Sequence, residues 1–285
     1  MNTAPRAIHH LSCGTMCPRG ARLLTGSGGL LAEARLVAHC LLVEGAEGLV
    51  LVDTGFGLDD ARNPRQLGGL FNAVVRPRPS AAETAISQIR ERGFDPEDVR
   101  HVIATHLDLD HAGGLPDFPR AEVHVLGREL QAAMHPRRRE RDRYVAAHWA
   151  HGPRWVEHDV AGEQWLGFDS VQVLPASDAE ILMIPLQGHT LGHTGVAVRQ
   201  GGGWLLHCGD AYFHYGEVES PPHCPVGLRL FQELNQVDGT RRKHNQERLR
   251  ELAQSHGDEV ELICSHDPTT FERSRVAATA PGAQA

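Results

Sequence analysis

Positive charge is what this chain has too little of. Its 28 Lys and Arg face 36 Asp and Glu, a formal net charge of −8 over 285 residues. A protein that neutralises a nucleic-acid backbone needs the opposite balance, so nucleic acid is not expected as a partner. The one basic run, Arg137-Arg138-Arg139 with Arg141 and Arg143, is broken by Glu140 and Asp142 and reads as a solvated face. Long apolar runs are also missing. None approaches the ~20 residues of a membrane helix, so no membrane partner is expected. The N-terminus has no apolar signal core, and Cys13, Cys17, Cys40, Cys208, Cys224 and Cys264 do not suggest a disulfide framework. A reducing, cytoplasmic setting is the expectation, with the oligomeric state left open.

What is present is an ordinary globular composition, 41% hydrophobic and 22% charged, in a chain long enough for a sizeable core. We expect a single domain over residues 1–275. The Ala-, Thr-, Pro- and Gly-rich residues 276–285 read as a disordered tail.

The most informative stretch is His101-Val-Ile-Ala-Thr-His106-Leu-Asp108-Leu-Asp110-His111-Ala-Gly-Gly114. His106, Asp108, Asp110 and His111 place four potential metal ligands within six positions. The apolar run before them reads as a buried strand, and Ala112-Gly113-Gly114 leaves little bulk to stop the backbone folding tightly. Three further candidates each follow an apolar run: His189 after Ile181–Leu186, Asp210 after Trp204–Leu206, and His266 after Val260–Cys264. A catalytic ion takes about three protein ligands and keeps a position open. Two ions about 3.5–4 Å apart can share one hydroxide.

Elsewhere, Leu36–Val43 and Leu49–Val52 read as a strand pair ending at Asp53, which could brace a ligand or close a turn. Residues 56–79 lack periodicity and read as a loop walling the site. Ser80 and Glu83 have capping-box spacing ahead of a helix reaching Gly93. Tyr144, His148, Trp149 and Trp155 either form a lid or pack their segment down.

With these blocks in place, the chain resembles the metallo-β-lactamase-fold hydrolase superfamily. The matching blocks run from Leu51-Val52-Asp53-Thr54-Gly55 through Thr105–Gly114, Gly188–Thr194 and Cys208-Gly209-Asp210-Ala211 to Ser265-His266-Asp267-Pro268. The resemblance implies an α/β fold, a four-layer αββα sandwich with metals at one edge between the sheets. It implies one metal on His106, Asp108 and His189, a second on Asp110, His111 and His266, and Asp210 bridging. His193 would support the site without ligating.

Asp108 departs from the common His-x-His-x-Asp-His pattern, whose second His it replaces. Zinc is expected, with iron or manganese as the choices an oxygen donor adds. The ending and length are most similar to N-acyl homoserine lactone lactonases. Those have a Tyr three residues after the bridging Asp, where this chain has Phe213. Tyr212 is left with two readings, a hydroxyl reaching a substrate carbonyl or a packed aromatic. The implied function is hydrolysis of a small-molecule substrate, a lactone or small ester, by a metal-bridging hydroxide that Asp110 orients. Alternatives are a di-iron redox enzyme of the same fold, a glyoxalase II-like thioesterase, a β-lactam hydrolase, or a metal-binding protein without catalysis.

Overall fold

Two six-stranded sheets lie face to face. The computed structural model describes residues 7–160, 162–174 and 180–279. The first sheet runs in space as β1 (Ala7–Met16), β2 (Leu36–Gly45), β3 (Gly48–Val52), β4 (Val99–Ile103), β5 (Glu122–Leu126) and β6 (Arg154–His158). The second comprises β7 (Glu163–Trp165), β8 (Phe168–Gln172), β9 (Ile181–Pro185), β10 (Thr194–Gln200), β11 (Gly203–His207) and β12 (Val260–Ile263), again neighbours in chain order.

The layers follow from which side chains each strand turns each way. On β2 and β3, Leu41, Val43, Val50 and Val52 point inward, where with Ile103 they meet Ile181, Met183, Val196, Val198, Leu205 and Ile263 of the other sheet. Their chain neighbours Cys40, Leu42, Leu49 and Leu51 point outward onto Ala85, Ile86 and Ile89 of helix 85–91 and Leu130 and Ala133 of helix 127–134. The second sheet turns Leu182, Ile184, Ala197 and Leu206 outward onto Leu249 and Leu252 of helix 239–255. Strands covered on both faces read as continuous apolar runs, as the sequence does here. The result is the expected αββα sandwich. No helix among the described residues is long and apolar enough to cross a membrane.

Three local expectations change. Residues 56–79 contain two short helices, Leu58–Arg62 and Gly69–Val74, and bury Phe56 and Leu67 against Leu109 of the ligand stretch. Ser80 makes no side-chain cap; Glu83 instead accepts from the Thr15 hydroxyl at 3.0 Å, and the helix starts at Ala85. The last helix, Pro268–Thr279, carries regular structure through 276–279, and residues 280–285 lie outside the described residues.

Strand direction sets the site. The pair β3–β4 and the pair β11–β12 are each parallel. All four strands end on the same rim, so the segments leaving them carry Asp53, His106–His111, Asp210 and His266 together. Ligand sites form outside the carboxyl ends of parallel strands for this reason.

Candidate metal centre

The tight turn after β4 is closed by a helix of one turn, Leu109–Ala112. Gly113 and Gly114 let it pack against the Asp53–Gly57 turn, where added Cβ atoms would run into Asp60, Gly55 and Thr54. Asp53 itself adopts a left-handed φ of 56°. One of its carboxylate oxygens accepts from the Thr105 backbone N–H at 2.7 Å. The other meets the Thr105 hydroxyl at 2.7 Å and His111 Nδ1 at 2.8 Å. With Nδ1 held there, His111 presents Nε2 to the site. Asp53 thus braces a candidate ligand from behind.

The seven candidate ligands converge. His106, Asp108 and His189 form one group, Asp110, His111 and His266 a second, and His106, His111 and Asp210 a third that spans them. Asp210 faces both sides with different atoms. Its Oδ2 is 3.3 Å from His189 Nε2 and 3.9 Å from His106 Nε2; its Oδ1 is 3.4 Å from His111 Nε2; and His266 Nε2 lies between the two, 3.1 Å from Oδ1 and 3.2 Å from Oδ2. Asp110 completes the second group, 3.7 Å from His266 and 4.0 Å from His111. Bonds of about 2.0–2.2 Å in a tetrahedron put neighbouring donors about 3.3–3.6 Å apart, so these spacings suit cations.

The buried polar atoms give an independent test. His106 Nε2, Asp108 Oδ1, His111 Nε2 and Asp210 Oδ1 are buried without a hydrogen-bond partner. Such orphans are costly unless something satisfies them. Here four of them come from one cluster of nitrogen and oxygen donors, which fits divalent cations. The charges cooperate. Burial opposes charge on Asp210, yet His266, His111 and His189 hold its carboxyl well below the usual range. Burial opposes charge on His111 and His266 as well, but Asp210 raises both, helped at His111 by Asp53.

Two residues that the sequence did not point to organise the site. Arg143 is not on a solvated face. Its half-buried guanidinium lies 3.0 Å from Asp108 Oδ2, and it donates to the backbone carbonyls of His189 at 3.0 Å and Asn235 at 2.9 Å. Burial works against charge on Asp108, but Arg143 and then His106 hold its carboxyl well below the usual range. Burial and then Arg143 push His189 down to about 4. The buried Glu129 carboxylate accepts from Leu107 N–H, the Tyr144 hydroxyl, the Thr190 hydroxyl and Gly192 N–H, and so ties the His106 loop to the His189 loop. Both come from segments whose charges would ordinarily face water.

The remaining candidates separate clearly. His193 accepts from the Asp210 backbone N–H at 2.8 Å through Nε2 and meets the Leu186 carbonyl through Nδ1, so it supports the bridging residue. Tyr212 is a correction as a catalytic candidate. Its side chain is fully buried among Cys208, Cys264, Leu249 and Leu252, with its hydroxyl at the Cys208 thiol, which is the packed-aromatic reading. Phe213 instead lies over the ligands, with ring centroids 4.9 Å from His266 and 6.0 Å from His189. Tyr144, Trp149 and Trp155 pack against the first sheet's outer face rather than forming a lid.

Known proteins resemble this chain in sequence and in fold. A family model described as the metallo-beta-lactamase superfamily matches residues 34–255. The probable metallo-hydrolase Rv2300c of Mycobacterium tuberculosis is 42% identical over 272 residues, covering 95% of this chain and 83% of that protein. The N-acyl homoserine lactonase AttM of Azorhizobium caulinodans is 28% identical over 249 residues, 84% of this chain and 85% of the relative. An N-acyl homoserine lactone hydrolase solved with N-hexanoyl-L-homoserine at its metal centre shares the fold, with a TM-score of 0.70, 20% identity, and 95% and 96% of the two chains covered. The chain belongs to the metallo-β-lactamase superfamily and is a hydrolytic enzyme of that family.

Proposed function

We propose that the chain hydrolyses a lactone or small carboxylic ester at a centre of two divalent ions, most simply zinc. The observation that carries this reading is the placement of Asp210 between the two donor groups, with Oδ2 toward His106 and His189, Oδ1 toward His111, and His266 within reach of both oxygens. Each side then has a donor set of its own. His106, Asp108 and His189 would hold one ion, and Asp110, His111 and His266 the other, with Asp210 between them. Divalent ions there supply an acidified water and polarise a carbonyl oxygen.

The residues do the rest. Asp110 is the candidate ligand whose carboxylate is most open to solvent, at 12%, so it orients the attacking water, takes its proton and passes it to the leaving oxygen. His193 and Asp53 keep Asp210 and His111 aimed. Phe213 puts an apolar ring where the lactonases of the resemblance carry a tyrosine, so no hydroxyl from that position stabilises the developing oxyanion. The lactonase-named relative and the lactone hydrolase fold neighbour support the substrate class.

The test is turnover of N-acyl homoserine lactones, a δ-lactone and a linear ester by purified protein, before and after chelation. We expect lactone hydrolysis that chelation abolishes and added zinc restores, with Asp110→Asn slowed by about 10²–10⁴ while its metal content is kept. Lactone hydrolysis indifferent to chelation would sink the reading.

A further inference from the structure

A second set of donors lies away from this centre, on the inner face of β4, β5 and β6. His101 sits directly opposite Glu122, and His124 opposite Ile103, in the parallel register of β4 and β5. The same face carries Ile103 and Leu126, which enter the inter-sheet core, and Arg154 and His158 of β6. His101 Nδ1 is 3.0 Å from His124 Nε2 and 3.7 Å from Glu122 Oε2, and the three donor atoms form a compact group. His101 precedes His106 by five residues, on the order of 15 Å at about 3.3 Å per residue, so the two clusters are separate.

We propose that His101, Glu122 and His124 bind a divalent transition-metal ion that clips β4 to β5. Two imidazoles and a carboxylate are a donor set such ions accept. The two separations from His101, 3.0 and 3.7 Å, bracket the ligand–ligand distance of a tetrahedral ion, which keeps one position for water. The residues behind the donors also suit the task. His124 Nδ1 lies 2.9 Å from His158 Nε2 on β6. When that Nδ1 carries the hydrogen and donates to His158, the His124 Nε2 lone pair is turned toward His101 and Glu122. A ligating imidazole is commonly oriented by its far nitrogen in this way. Glu122 Oε1 accepts from Arg154 at 2.8 Å, which turns Oε2 inward.

Between His101 Nδ1 and His124 Nε2 there is room for one shared hydrogen. Moving that hydrogen from His101 Nδ1 to its own Nε2, the other neutral tautomer, converts a hydrogen bond into two lone pairs aimed at one point, with no net proton released. Burial favours the neutral imidazoles this requires: it pushes His124 down to about 3, with His101 and His158 adding to the effect. His101 and Glu122 keep part of their side chains exposed, at 23% and 35%, which gives the ion an entry.

The experiment is equilibrium dialysis of the metal-loaded protein against zinc, counting bound zinc by mass spectrometry in wild type, His101→Ala and Glu122→Gln, with folding checked by circular dichroism. Wild type should hold one zinc more than His101→Ala, and Glu122→Gln should bind that zinc more weakly. His158→Ala should weaken it by about 10–100-fold, the usual cost of losing an orienting partner. Equal zinc counts in folded wild type and His101→Ala would overturn the proposal and leave the histidines as a hydrogen-bonded row. A fall of more than one zinc in His101→Ala would mean that the substitution reaches the Asp210 centre, which would also overturn a separate site.

Discussion

The two halves of the Asp210 centre offer a cation different surroundings. On one side Asp108 is a carboxylate, but Arg143 lies 3.0 Å from it, and the two formal charges cancel. On the other side Asp110 has no Lys or Arg at that range among the described residues, and Asp53 adds a second carboxylate behind His111 at 2.8 Å. Leaving out Asp210, an ion would meet a formal charge of zero on the first side and −2 on the second. An Asp paired with an Arg thus carries the same net charge as the neutral His of the common family pattern. The substitution at Asp108 changes the donor atom from nitrogen to oxygen and leaves the charge as it was. The lesson is that the charge a metal feels is set by the residues behind the ligands as much as by the ligands.

That difference can be broken deliberately. Arg143→Met strands a buried carboxylate, so the metal-free protein should lose about 3–5 kcal/mol in urea unfolding. Zinc should recover most of the loss, because it replaces the missing cation, and the first ion should bind more tightly than in wild type. A variant as stable as wild type without metal would mean that Asp108 does not depend on Arg143.

Asp53→Asn acts on the other half. It should weaken the ion on the Asp110 side by about 10–100-fold, measured by chelator competition, and weaken the Asp108 side less, because there Asp53 reaches His106 only through the Thr105 hydroxyl. Equal weakening on both sides would erase the distinction between the halves.

Acidity sharpens the comparison without any substitution. Asp108 and Asp210 are depressed in the folded state. The stability they contribute is present above the ordinary carboxylate value, about 4, and is lost as pH falls through their folded values. His111 and His266 are raised, so their contribution is present below about 6.5 and is lost as pH rises through their folded values. His189 and His124, held down at about 4 and about 3, add stability that is present above about 6.5 and lost as pH falls toward those values, so melting of the metal-free protein across pH should show greatest stability just above about 6.5, before His111 and His266 lose theirs. Stability still climbing at alkaline pH would contradict the histidine assignments. The smallest effect belongs to Tyr212→Phe, expected to cost about 0.5–1.5 kcal/mol with turnover unchanged. A rate loss of about 10²-fold or more would restore a catalytic role to that hydroxyl.

How much of this was legible in the sequence follows from the same physics. The ligand stretch stood out because four donors fall within six positions between an apolar strand and two glycines. The αββα layers were legible through the family resemblance and through the run of apolar strands. Arg143 and Glu129 were not legible. Each sits in a charged segment that usually faces water, and only tertiary packing brings them to Asp108 and to the two ligand loops. Ser80 and Glu83 had the right spacing for a capping box, yet Glu83 found Thr15 instead, a contact no local pattern encodes. Tyr212 and Phe213 are adjacent, and only the backbone path after Asp210 decides that the phenyl ring faces the ligands while the phenol is buried.

The most direct test of the account is a zinc titration of chelated His101→Ala protein, which removes the β4–β5 donors, with free zinc followed by a competing chromophoric chelator. The account predicts two zinc ions per chain taken up in two resolved steps, with the tighter step weakened by Asp53→Asn and the looser one tightened by Arg143→Met. A single zinc per chain, or two identical steps that both substitutions shift together, would contradict an unequal two-ion centre bridged by Asp210.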